Sequence, residues 1–171
     1  MSENLIKLLS PSDRHQFKAC LGWIDLQEYA EALAEIDRMS PESAKLAEIL
    51  DVRWQIFARK LDWESALEAA REFVKLHPEI ASAWIHLSYS LHELGRTIEA
   101  RDHLLNSREK FPYNALILYN LACYCCQLQM NDDAIQWIQE AIAVKEKSEI
   151  LSMALEDKDL APIRDRLSAM V

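Results

Sequence analysis

Ala81-Ser82-Ala83-Trp84-Ile85-His86-Leu87-Ser88-Tyr89-Ser90-Leu91-His92-Glu93-Leu94-Gly95-Arg96-Thr97-Ile98-Glu99-Ala100, continuing through Leu104 and Ser107 to Pro112, is the stretch that decides the fold. Trp84, Leu87 and Leu91 fall on one face of a first helix, and Ala100, Leu104 and Ser107 on one face of a second. Gly95 lies between them, where a helix ends most easily in a left-handed residue. The spacing predicts a pair of antiparallel helices. Steps of 34 residues from Ala100 reach Ala134 in one direction and Ala66 and Ala32 in the other, so one small residue recurs at one phase. The chain is an internal repeat.

A period of this length, with Trp, Leu, a small residue, Ala and Pro in this order, resembles the tetratricopeptide repeat, whose pattern runs W-x-x-L-G-x-x-Y, then A-x-x-x-F, then P. The resemblance covers four units without insertion, 13–46, 47–80, 81–114 and 115–148, followed by a capping helix and tail over 149–171. It implies an all-α fold, a right-handed α-α superhelix of four helix-turn-helix repeats forming one domain.

Composition agrees with an all-helical chain. Of 171 residues only two are glycine and five proline, and half are hydrophobic, which argues against long loops or disorder. A net charge of −9 argues against a general nucleic-acid or anionic-membrane role, because either needs clustered Lys and Arg. The apolar Leu5-Ile6 and Leu8-Leu9 cluster lacks the length of a signal-peptide core, and no later apolar run is long enough to cross a bilayer, so a cytoplasmic protein is expected. Cys20, Cys123, Cys125 and Cys126 lie inside helical patterns, not in a loop-rich disulfide framework.

Local signals refine the boundaries. Ser10-Pro11 reads as an N-cap followed by proline at the first helical position, and Ser40-Pro41-Glu42 reads as the same device, lengthening the next helix backward. A second helix is expected over about 27–39, with Tyr29, Ala32, Leu33 and Ile36 facing inward. In the second unit Trp54 stands at the usual small position and Ala70 at a usual bulky one, which suggests an exchange of volume between them. Asn131 or Asp132 is the expected cap of the last unit's second helix. Glu146, at the position of the family's proline, lets that helix run on by a turn. Beyond it, Ile150, Leu151, Ala154 and Leu155 form one apolar face, and Leu160 and Ile163 of the tail are expected to fold back on the stack.

No catalytic signature emerges. Two isolated glycines cannot form a phosphate loop, and neither a His-Glu-x-x-His nor a nucleophile-elbow pattern occurs. No enzyme activity, cofactor or metal is expected. The one cluster of reactive types is Cys123-Tyr124-Cys125-Cys126 with His86 and His92 on the preceding repeat. Thiols along a helix are far weaker as a zinc or redox signal than a Cys-x-x-Cys knuckle on a turn, and each fits a small packing residue.

The expected function is binding of a protein or peptide segment. In the family the concave surface is lined by fixed positions of each first helix, which the resemblance places at Ser82, Ile85, Tyr89, His92 and Glu93, then at Leu116, Tyr119, Cys123, Cys126 and Gln127. The candidate groove residues are Ile85, Tyr89, His92, Leu116, Tyr119, Cys123 and Cys126. Some members clamp a ligand's C-terminal carboxylate with Lys, Asn and Arg, but the matching positions here are Asp51, Gln55, His86, Leu116 and Asn120, or Phe17, Leu21, Val52, Ser82 and His86 in the other register, without a clamp lysine or arginine. The acidic groove residues outnumber the basic ones, and tyrosine recurs at binding hot spots, so a neutral or basic segment with an apolar anchor is the expected partner. A secretion-type chaperone for an unfolded client is the alternative within the same class.

Overall fold

The computed structural model of the chain describes residues 3–170, and among these every regular element is helical. A short α1 (Glu3–Leu8) precedes α2 (Pro11–Asp25) and α3 (Tyr29–Asp37), and a 3-10 turn at Ser43–Lys45 leads into α4 (Ala47–Arg59) and α5 (Trp63–Leu76). Then follow α6 (Ala81–Glu93), α7 (Thr97–Arg108), α8 (Ala115–Gln127), α9 (Asn131–Val144) and α10 (Lys147–Glu156). A 3-10 segment, Lys158–Ile163, and α11 (Arg164–Ser168) complete the described chain. The chain divides into two compact units, one ending at Pro78 and one beginning at Glu79.

The period written in the sequence is also the period of the backbone. Helices α4, α6 and α8 begin at Ala47, Ala81 and Ala115, and α3, α5, α7 and α9 at Tyr29, Trp63, Thr97 and Asn131, each series in steps of 34. The turns between paired helices share one geometry. Gln27, Leu61, Gly95 and Gln129 have positive φ, of 61°, 56°, 74° and 63°. After each, the next N–H reaches back to a carbonyl five residues earlier: Glu28 to Trp23, Asp62 to Phe57, Arg96 to Leu91 and Met130 to Cys125, at 2.9 to 3.0 Å. The left-handed residue's own N–H donates to a carbonyl three residues back, so two carbonyls at the end of each first helix are satisfied.

This turn explains two departures from the sequence reading. Asn131 and Asp132 were expected to cap α9, yet its N-cap is Met130, whose side chain offers no cap hydrogen bond. The residue that closes the left-handed turn also opens the next helix, so phase fixes the cap position and Asn131 falls one residue inside. Only at Asp62 does that position hold a capping side chain, which accepts from the Ser65 N–H at 3.2 Å. Likewise α3 begins at Tyr29, because Gln27 is spent on the turn.

The first unit gathers Leu5, Leu9, Phe17, Cys20, Ala32, Ile36, Met39, Ile49 and Ile56 into one core, so Leu5 and Leu9 of the N-terminal apolar cluster are packing material. Tyr29 and Leu33 pack against it, partly buried. Ser10 caps α2 as read, accepting from the Asp13 N–H at 3.1 Å, whereas Ser40-Pro41 starts no α-helix and α4 is not extended backward. The reason is Asp13, only 3% exposed. Its carboxylate accepts from the Ser40 N–H at 2.9 Å and from the hydroxyls of Ser40 and Ser43 at 2.8 Å and Ser10 at 2.9 Å, tying the segment after α3 to the start of α2. In α5, Ala70 is fully buried and Phe73, one turn on, is also buried, while Trp54 is only half-buried.

In the second unit α8 is the central element. Every residue from Ile117 to Cys126 is buried, as befits a helix apolar all round, and α8 packs on α6, α7, α9 and the 3-10 segment. The helix α9 does not run on. It ends at Val144, and α10 starts after Glu146. Leu160, Ile163 and Leu167 of the tail are buried.

Two measurements check these assignments. Leu61 is 72% exposed and strained by its positive φ, so Leu61→Gly is expected to leave stability unchanged or raise it by up to about 1 kcal/mol, whereas Gly95→Ala should lower it by about 1 kcal/mol in denaturant titration. At Asp13, burial raises the pKa but the hydrogen bonds from Ser40, Ser43 and Ser10 outweigh it and hold the value at about 2, below the ordinary 3.8. A depressed carboxylate pKa stabilises above the unfolded value and loses that contribution as pH falls through the folded one. The advantage of the parent over Asp13→Asn should therefore be about 2 kcal/mol at neutral pH and shrink between pH 4 and pH 2.

Candidate functional site

The seven groove residues named from the sequence all lie on α6 and α8, within the second unit. Their surroundings divide them. Tyr89 and Leu116 are exposed, at 37% and 47%, while Ile85, Tyr119, Cys123 and Cys126 are buried and His92 is half-buried. At Tyr119, Cys123 and His92 the cover comes from the chain's own tail. After α10 the backbone turns extended at Asp157 (φ −72°, ψ 125°), and the following residues run across α8.

The tail is held through two aspartates. Tyr119 Oη donates to Asp157 Oδ2 at 2.8 Å, and the Cys123 thiol reaches the same oxygen at 3.6 Å. The other carboxylate oxygen of Asp157 accepts from the Asp159 N–H at 2.8 Å, which bends the backbone into the 3-10 segment. Gln127 Nε2 donates to the Asp159 carbonyl at 2.8 Å. His92 lies 3.2 Å through Nε2 from Asp159 Oδ2, 3.0 Å through Nδ1 from Thr97 Oγ1, and its ring stands 4.9 Å from that of Tyr124. An ionised carboxylate only accepts, so Nε2–H is the donor to Asp159, and a neutral ring leaves Nδ1 to accept from the Thr97 hydroxyl. Thus Tyr119, Cys123 and His92, three of the sequence-named residues, contact the tail directly.

The electrostatics follow from this burial. Burial, then the carboxylates of Asp157 and Asp159, push the Cys123 thiol well above its ordinary range. Burial raises Cys126 and Cys125 as well, reinforced by Asp159 at the former and Asp133 at the latter, and it carries Cys20 up to about 12. These thiols are protonated at neutral pH and poor nucleophiles. Tyr119 is raised by burial, by the neighbouring Cys123 and by its bond to Asp157. At Tyr89, burial together with Glu93, Asp159 and Asp157 raises the phenol to about 12, which puts three carboxylates in the field of one exposed ring. Among the described residues no group of three or more His, Cys, Asp or Glu side chains could hold a metal ion.

Sequence reasoning passed over Asp157 and Asp159 as functional groups, although the alternation Asp157-Lys158-Asp159 ahead of Leu160, Ile163 and Leu167 carries the signal. A cleft of about 860 Å³ lies elsewhere, in the first unit, lined mainly by α4 and α5. Its wall residue Arg53 is paired with Asp37, and Arg71 with Glu68.

No family model matches the sequence, and no curated protein matches it. Solved structures do. A crystal structure of MamA protein superposes with a TM-score of 0.72 at 15% identity, over 92% of this chain and 87% of that one. A thermophilic TPR protein in Thermus thermophilus gives 0.66 at 17%, over 92% and 96%. The TPR2B domain of yeast Sti1, solved as a complex with pHsp70, gives 0.60 at 20%, over 73% and 98%. The chain therefore has the tetratricopeptide-repeat fold, an all-α solenoid of helix-turn-helix repeats. Among the described residues, no helix is long and apolar enough to cross a membrane.

Thiol accessibility reports on the seated tail. With all four cysteines buried, the native protein should react slowly with a disulfide reagent at pH 8 and release four equivalents once denatured. A fast single equivalent from Cys123 would mean that the tail does not cover α8.

Proposed function

We propose that the protein is a non-catalytic interaction module that binds a protein segment on the groove face of α6 and α8, with Tyr89 and Leu116 as the open anchor points. The observation that carries this reading is the exposure of two large side chains, Tyr89 on α6 and Leu116 on α8, at positions that the repeat pattern assigns to the groove. Tyrosine offers wide contact area at low entropy cost and a hydroxyl, the combination that recurs at binding hot spots. One structure of the same fold is a complex of a TPR domain with pHsp70, which supports a protein partner for this chain. With the tail seated, the carboxylates of Glu93, Asp157 and Asp159 all act on Tyr89, so the segment suited to this face is neutral or basic and brings an apolar side chain.

Selection of displayed random peptides against the full chain tests this. Enriched peptides should combine an aliphatic or aromatic residue with Lys or Arg, and Tyr89→Ala should weaken them by more than about 1 kcal/mol with helicity intact. Enriched peptides that bind a Tyr89→Ala, Leu116→Ala double variant as well as they bind the parent would place the functional face elsewhere.

A further inference from the structure

The tail is gripped as a ligand is gripped. Two side-chain carboxylates and one carbonyl of a short segment are read by Tyr119 Oη, the Cys123 thiol, His92 Nε2 and Gln127 Nε2, all from the inward positions of the two first helices. Three aliphatic side chains, Leu160, Ile163 and Leu167, are buried alongside. A cap that only closed an apolar end would need the aliphatic residues and no more. The carboxylates add register, because Asp157 accepts from Tyr119 and Cys123 with one oxygen and from the Asp159 N–H with the other. The segment's own elements, six residues of 3-10 helix and five of α-helix, are too short to persist unbound, so the segment orders on the face it covers.

We propose that Asp157–Leu167 is an intramolecular ligand, and that the α8 face beneath it is an acceptor for a partner segment of the form Asp-x-Asp-Leu, which binds by displacing it. The proposal rests on reading this face as a groove and goes beyond that reading in naming a ligand chemistry. The donors are two hydroxyl- or thiol-bearing side chains, an amide and an imidazole, with no lysine or arginine among them. Recognition is therefore short-ranged and depends on where the two carboxylates fall, unlike the cationic clamping of a chain terminus. A partner in trans competes with a tethered copy of its own chemistry, and its apparent affinity falls by the fraction of time the acceptor is open.

The test uses the full chain and a fluorescein-labelled peptide with the sequence of residues 156–170. A chain carrying Asp157→Asn and Asp159→Asn keeps the acceptor but loosens the tether, and it should bind the peptide at least about tenfold more tightly than the parent does. Adding Tyr119→Phe to that chain, or replacing both aspartates of the peptide by asparagine, should remove most of the gain. Equal binding of the asparagine peptide, or no binding to the loosened chain, overturns the proposal. Hydrogen exchange on the intact parent gives a readout independent of any variant: amides of 158–168 should exchange at least about a hundredfold faster than those of 117–126. Exchange of both segments only through the same global event makes the tail a permanent cap and overturns the proposal. Protection of the tail that rises with protein concentration assigns the acceptor to a second copy and overturns it too. Peptide selection through Tyr89 is unaffected by these outcomes, so the acceptor can fail while the open groove stands.

Discussion

The left-handed residue between paired helices is the constraint on which the rest of the structure depends. At Gln27, Leu61, Gly95 and Gln129 the chain reverses within a turn so short that the residue closing one helix caps the next. That leaves no slack in phase. A helix pair joined in this way presents the same faces at every repeat, which brings Ala32, Ala66, Ala100 and Ala134 to fully buried positions. Three of the four sites tolerate a side chain at positive φ, at a local cost that the two backbone hydrogen bonds and the packing on either side offset.

Phase then decides which side chains meet. Because α8 begins one full period after α6, Tyr89 and Cys123 fall at the same repeat position, yet their environments differ. The difference comes from the tail, which covers part of α8 and leaves Tyr89 and Leu116 in the open. Burial all round α8 also explains the thiols. Cys123, Cys125 and Cys126 sit where small side chains let neighbouring elements approach, and nearby carboxylates add to burial in keeping them protonated.

Much of the fold was legible because its signals are local and repeated. The alanine series, Gly95, and Ser10-Pro11 each specify a backbone state by their own chemistry. What was not legible depended on contacts between distant residues or on phase overriding preference. Leu61 and Gln129 carry no left-handed signal of their own, and only their distance from Gly95 gives them away. Asn131 looked like a cap and is not one, since the turn had already fixed the cap at Met130. Ser40-Pro41 looked like a helix start until Asp13, 27 residues earlier, claimed the serine. At the site, the groove positions were legible from the repeat, but their occupancy was not. Nothing in the spacing of α8 says that Tyr119 will donate to a carboxylate 38 residues on.

The repeat pattern assigns to inner positions of the first helices Arg14 and Arg59 against Asp25, Glu48, Asp51 and Glu93, a sum of −2. The tail changes that local balance. Asp157 and Asp159 bring charge to the edge of α6 and α8 without any change in the repeats, and they do so close to an aromatic ring where partial exclusion of water weakens screening. Apolar burial of Leu160, Ile163 and Leu167 supplies attraction without direction, whereas the two carboxylates, each bonded to a donor on a different helix, set where along α8 the segment stops. Charge at this face is therefore set by the tail's position as well as by Glu93 of the repeat.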